Sequence, residues 1–194
     1  MSVTIGVEGV VQFTDKLKKA GREMEADTQI RTERACLFLM NWIQFKKLRG
    51  QVLNRRTGRL ADTAEYHIQK KDRIVSGHVG FKQPYATIHE KGGTIQAKYA
   101  EYLTMPLPRA LTPAGVVKKP ATDWEDTFVQ KSKKGNLIIF QKSGRNIIPL
   151  FVLKRKVKIP KRPYIAPSLK ETKNIINEIV GETIKMGVKI VNGQ

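Results

Sequence analysis

The sequence predicts an α+β fold: a long N-terminal helix or helix pair, an antiparallel sheet with an inserted β meander, and a C-terminal helix packed on the sheet. Three observations carry this prediction. Apolar residues recur at helical spacing through the first fifty residues, short alternating segments separated by glycine turns fill the middle, and the helical spacing returns after residue 168.

Thr14 reads as the N-cap of the first helix, with Leu17, Ala20 and Met24 on one face and Ile30, Leu37 and Met40 or Asn41 extending the pattern to about Leu48. One long helix or two would satisfy it. The apolar run Ala35 to Ile43, broken only by Asn41, is far shorter than the ~20 residues a membrane helix needs. It is a core or interface segment, and Leu37, Phe38 and Trp42 within it are candidate subunit-interface residues.

The basic loop Asn54-Arg55-Arg56 closes at Thr57-Gly58. Ala64 to Ile68 and Ile74 to Phe81 then alternate as two strands of a hairpin, joined by the polar Lys70-Lys71-Asp72-Arg73. A loop rich in Pro and Lys, Pro106 to Pro120, leads to a second β region. There Thr127 to Gln130, Leu137 to Gln141 and Ile147 to Leu153 are separated by Lys133-Lys134-Gly135-Asn136 and Ser143-Gly144-Arg145, each a turn with a glycine. Leu137 and Ile139 in this meander are further interface candidates. In the last helix Ser168 and Glu171 have capping-box spacing, and Leu169, Thr172, Ile176, Ile179 and Thr183 form its core-facing stripe.

A chain of 194 residues fits one domain, residues 1–194. A single cysteine excludes an internal disulfide framework, and the N-terminal Met-Ser-Val-Thr-Ile-Gly-Val-Glu lacks the basic start and apolar stretch of a signal peptide. A cytosol-like compartment is therefore expected, at least until assembly. With 36 Lys and Arg against 17 Asp and Glu the net charge is +19, which draws the molecule to polyanions or acidic proteins. Between Lys118 and Arg162 thirteen basic residues face three acidic ones, so about half the excess sits there. Lys133, Lys134, Arg145, Lys154, Arg155, Lys156 and Lys158 are the candidate DNA- or partner-binding residues; a plain solvated face is the alternative.

His89-Glu90 opens like the helical zinc motif His-Glu-x-x-His, but Gly93 stands where the second imidazole is needed, and the remaining His67, His78 and Cys36 offer no ligand spacing. Tyr85 to Glu90 reads instead as a short helix or strand end stopped by Gly92-Gly93. The chain has no phosphate-binding glycine loop, no dinucleotide fingerprint and no nucleophile elbow. Asp123, Glu125 and Asp126 fit a polar surface turn. No catalytic residue, metal or cofactor is expected.

Three short signatures stand in a fixed order: Thr57-Gly58-Arg59-Leu60 after the long helix, Tyr85-Ala86-x-x-His89-Glu90-x-Gly92-Gly93-Thr94 after the hairpin, and Arg162-Pro163-Tyr164 before the final helix. Together they resemble the tail-completion, or virion-morphogenesis, proteins of long-tailed bacteriophages, and Phe128 to Leu169 is similar in plan to the minor tail protein Z type. The sequence departs from that pattern at Arg55-Arg56, where an apolar or proline-containing segment is common, and in an insertion at about 95–160. The resemblance implies a non-enzymatic virion subunit, assembled in the host cytoplasm, forming a ring that is sixfold by analogy. Its implied partners are neck or connector proteins, tail-tube or tail-terminator proteins, and the DNA passing through the channel, with no membrane.

Overall fold

The computed structural model describes residues 10–72 and 74–192. Helix α1 (Val10–Trp42) continues into a π-helical stretch, Ile43–Gln51, so the N-terminal pattern is one long helix whose last turns widen. After the short α2 (Arg59–Asp62) come the strands β1 (Ala64–Lys71) and β2 (Ile74–Phe81), then α3 (Ala86–Lys91) and β3 (Gly93–Gln96). β4 (Leu103–Pro106), β5 (Thr127–Lys131), β6 (Leu137–Ser143), β7 (Asn146–Lys154) and β8 (Lys156–Ile159) precede α4 (Ile165–Asn192). The expected α+β class, hairpin, meander and terminal helix are all present. Among the described residues no helix is long and apolar enough to cross a membrane.

The chain divides into two compact units. The first comprises the chain up to Arg49, Thr63–Lys82, and the chain from Tyr164 onward. In it α4 lies along α1, and the antiparallel β1–β2 hairpin packs on α1. Ala35, Cys36, Leu39, Ile43 and Leu48 are buried on α1 and its extension, and Tyr164, wholly buried, meets the Phe81 ring edge-on with centroids 5.3 Å apart. An apolar cleft of about 380 Å³ remains between α1, β2 and α4, lined by Cys36, Leu39, Gly77, Leu169 and Ile176 among others.

Several expectations for this unit are corrected. Thr14 lies inside α1 and is not its N-cap. Leu17 and Ile30 are 44% and 50% exposed, so neither belongs to the buried face of α1. β1 runs on to Lys71, which shortens the hairpin turn to Asp72, at φ +54°, and Arg73, which lies outside the described residues. Ser168 and Glu171 form no capping box: α4 begins three residues earlier, at Ile165, with Pro167 tolerated in its first turn. Ser168 Oγ, wholly buried, donates to the Tyr164 carbonyl at 2.6 Å, and Thr172 Oγ1 donates to the Ser168 carbonyl at 2.8 Å. Both hydroxyls thus satisfy themselves on the preceding turn. Leu169, expected in the core, is 51% exposed at the cleft, and the side chain of Thr183 lies outside the described residues.

The second unit comprises Gly50–Asp62 and Gln83–Pro163. Its main sheet has the order β4-β7-β6-β5, all antiparallel, with β3–β8 as a separate pair. β7 carries a bulge: Ile139 pairs with Phe151 but Phe140 with Pro149, leaving Leu150 over. Leu150 and Phe151 therefore both reach the core, with Ala110, Trp124 and Ile139 packed around them. Pro149 fits a central strand because it sits beside the bulge and beyond the stretch that pairs with β4. The Pro- and Lys-rich loop is more structured than expected, with 3-10 turns at Pro108–Ala110 and Ala121–Asp123 and a bridge between Leu111 and Val117.

Candidate functional site

Arg162 of the third signature meets the second signature within the second unit. α3 ends at Gly92, whose φ of +72° favours glycine and whose N–H donates to the Ile88 carbonyl at 2.9 Å. A side chain there would meet the Lys161 backbone nitrogen at 2.9 Å, so glycine admits the strand leaving β8. The Arg162 N–H then donates to the His89 carbonyl at 2.8 Å. The Tyr85 and His89 rings meet edge to face at 6.0 Å.

His89 is half-buried, and its Nδ1 is buried without a hydrogen-bond partner. Burial, and then the positive charge of Arg162, pushes its imidazole pKa down. The positive charge of Arg162 beside the ring repels a further cation. Among the described residues no group of three or more His, Cys, Asp or Glu side chains is gathered as metal ligands would be.

The first signature is a turn in the same unit. Gly58 is buried at φ +83°, and a Cβ there would meet the Arg55 guanidinium at 2.9 Å and Asp62 Oδ2 at 3.0 Å, the two groups that pair across it at 3.1 Å. Thr57 and Arg59 are exposed and Leu60 half-buried on either side. In sequence each of the three signatures lies at or beside a point where the chain passes from one unit to the other: after Asp62, after Lys82 and after Pro163.

The candidate interface residues are partly spent on their own units. The Phe38 and Trp42 rings meet at a tilt with centroids 6.1 Å apart, Trp42 Nε1 donates to Glu171, and Leu37 is half-buried. Leu137 and Ile139 lie on the sheet face that carries Phe151.

The basic candidates do not form one group. Lys133 and Lys134 sit in the β5–β6 turn, whereas Arg145 sits in the β6–β7 turn at the other end of β6. Lys154, Arg155 and Lys156 lie at the Lys133 end, because Leu153 pairs with Leu137. Arg155 is held by Glu101 at 3.0 Å and lies 5.6 Å from the Tyr102 ring. Sequence reasoning missed Lys98 and Tyr99, which β3 brings to this end through the Gln96–Lys156 pair and an Ala97 N–H to Arg155 carbonyl bond of 3.3 Å. Only the pairing of β3 with β8, invisible locally, could have placed them. Compared with known proteins, the chain matches no family model, no curated protein and no solved structure.

Proposed function

We propose that this chain is a non-enzymatic structural subunit of a phage particle, which closes into a ring at the head-proximal end of the tail and joins tail to head. The observation that carries the reading is the order of the three signatures, two of them built on a glycine whose place a bulkier residue could not take without strain and the third on a proline. Gly58 and Gly92 supply left-handed turns, and Pro163 presets the backbone before the final helix. Rings need a heterologous contact that closes, and half-buried apolar residues such as Leu37 and Leu137 offer surface for one. The partners of such a ring are neck or connector and tail-tube or tail-terminator proteins, and sixfold symmetry follows by analogy with the family.

Negative-stain imaging of the purified chain, alone and mixed with tails lacking it, tests this. Closed rings, or density capping one end of the tail together with restored joining to filled heads, is the expected outcome. A monomer that neither caps tails nor restores joining would overturn the reading. A second reading, a basic protein that contacts nucleic acid, draws on the lysine-rich end of the main sheet.

A further inference from the structure

The sheet register sorts the positive charge into two groups that the linear sequence merges. The row Lys131–Leu137–Leu153–Thr104 crosses all four strands of the main sheet near one end. Beyond it lie the Lys133–Lys134 turn and Lys154, which pairs with Leu103. Lys156, two residues on, pairs with Gln96, and Lys98 follows in the loop tied to Arg155. Lys98, Lys131, Lys133, Lys134, Lys154 and Lys156 are all exposed, and among the described residues none of them pairs with a carboxylate. Glu101, the acidic residue at this end, is already engaged by Arg155. Lys142 and Arg145 lie a strand length away, roughly 20 Å for a seven-residue strand.

We infer that this end of the sheet is a phosphate-facing surface that holds the backbone of duplex DNA without reading its sequence. Six ammonium groups with no carboxylate of their own repel one another, and a line of phosphates relieves that repulsion while releasing its condensed counterions. Lysine suits such a partner as a point charge, whereas it is depleted from protein–protein interfaces. Tyr99, fully exposed between Lys98 and the Arg155-bound Glu101, adds a hydroxyl that can donate to phosphate oxygen. Such a surface serves a single subunit as well as a ring.

The test uses the full chain, a short labelled duplex of arbitrary sequence and a second unrelated duplex, titrated across a salt series. Wild type should bind both alike, with log affinity falling linearly in log salt. Replacing Lys133, Lys154 and Lys156 together by Gln should flatten that slope by up to about 2.7, at roughly 0.9 for each phosphate no longer neutralised. Lys142→Gln with Arg145→Gln, at the far end, should leave the slope in place. Equal flattening in the two variants would mean a diffuse effect of net charge and would overturn the assignment. So would an unchanged slope in the triple variant, including the case in which that variant fails to engage tails, which would assign the lysines to an acidic protein. Light scattering on the same samples reports assembly, so loss of the ring and loss of the DNA surface are read separately.

Discussion

Lys47 Nζ lies 2.7 Å from Glu171 Oε1, joining the π-helical end of the first helix to α4. Lys47 is only 4% exposed, while Glu171 keeps contact with water and also accepts from Trp42 Nε1 at 3.3 Å. The pair keeps an ammonium charge tolerable in the core.

Glu171→Gln should lower the melting temperature at neutral pH, because it leaves Lys47 charged, buried and without its carboxylate. The Lys47 hydrogen bond, followed by that of Trp42, holds the Glu171 carboxyl below its usual range. A depressed folded-state pKa contributes stability above the ordinary carboxylate value and loses it as pH falls through the folded one. The gap between wild type and variant should therefore close in strongly acidic buffer. Melting curves at neutral and acidic pH check this, and Lys47→Met with Glu171→Leu should recover much of the loss.

Gly77 on β2 faces α1 so closely that a methyl group would collide with Cys36 Sγ and meet Thr32 Cγ2 at 2.9 Å. Gly77→Ala should cost about 1–3 kcal/mol as an overpacking substitution. Removing the sulfur by Cys36→Ala in the same chain should return part of that. A double-mutant cycle in urea measures the coupling, and additive losses would show that the hairpin moves away instead.

His89 gives the chain a second acid response of the same sign, setting in at higher pH. Its folded-state pKa lies below the ordinary value, first through burial and then through Arg162. Stability should accordingly fall as pH drops through about 6.5, where the unfolded imidazole takes a proton and the folded one does not. His89→Phe should flatten that part of the profile, as read from urea midpoints on either side of it. Metal analysis of both proteins should return no stoichiometric zinc if the non-enzymatic reading holds.

What the sequence disclosed was local. The hairpin, the three meander strands and the last helix follow from alternation, glycine turns and helical spacing over a few residues, and Gly58 and Gly92 take the left-handed conformations their turns require. β3 and β4 escaped notice because four-residue strands draw their stability from partners far along the chain, Ile159 for Gly93 and Lys154 for Leu103. The same distance hid the Arg162 bond to His89 and merged Arg145 with Lys133. Ser168-x-x-Glu171 misled because the spacing of a capping box also occurs one turn inside a helix, where a buried serine bonds backward and the glutamate is free for Lys47.

The bulge at Leu150 imposes a parity rule on β7. Ahead of it even-numbered residues, Ile148 and Leu150, belong to the face that carries the core; behind it the odd-numbered Phe151 and Leu153 do. The strand thus changes phase once, and its two halves agree only because one residue is surplus. Deleting Leu150 would restore unbroken alternation and keep Ile148 and Phe151 on the same face, at the cost of the Leu150 side chain in the core. Pro149 thus marks the place where β7 can lose one residue and keep both halves in phase, whereas a single loss elsewhere in the strand, with the bulge kept, turns one half over.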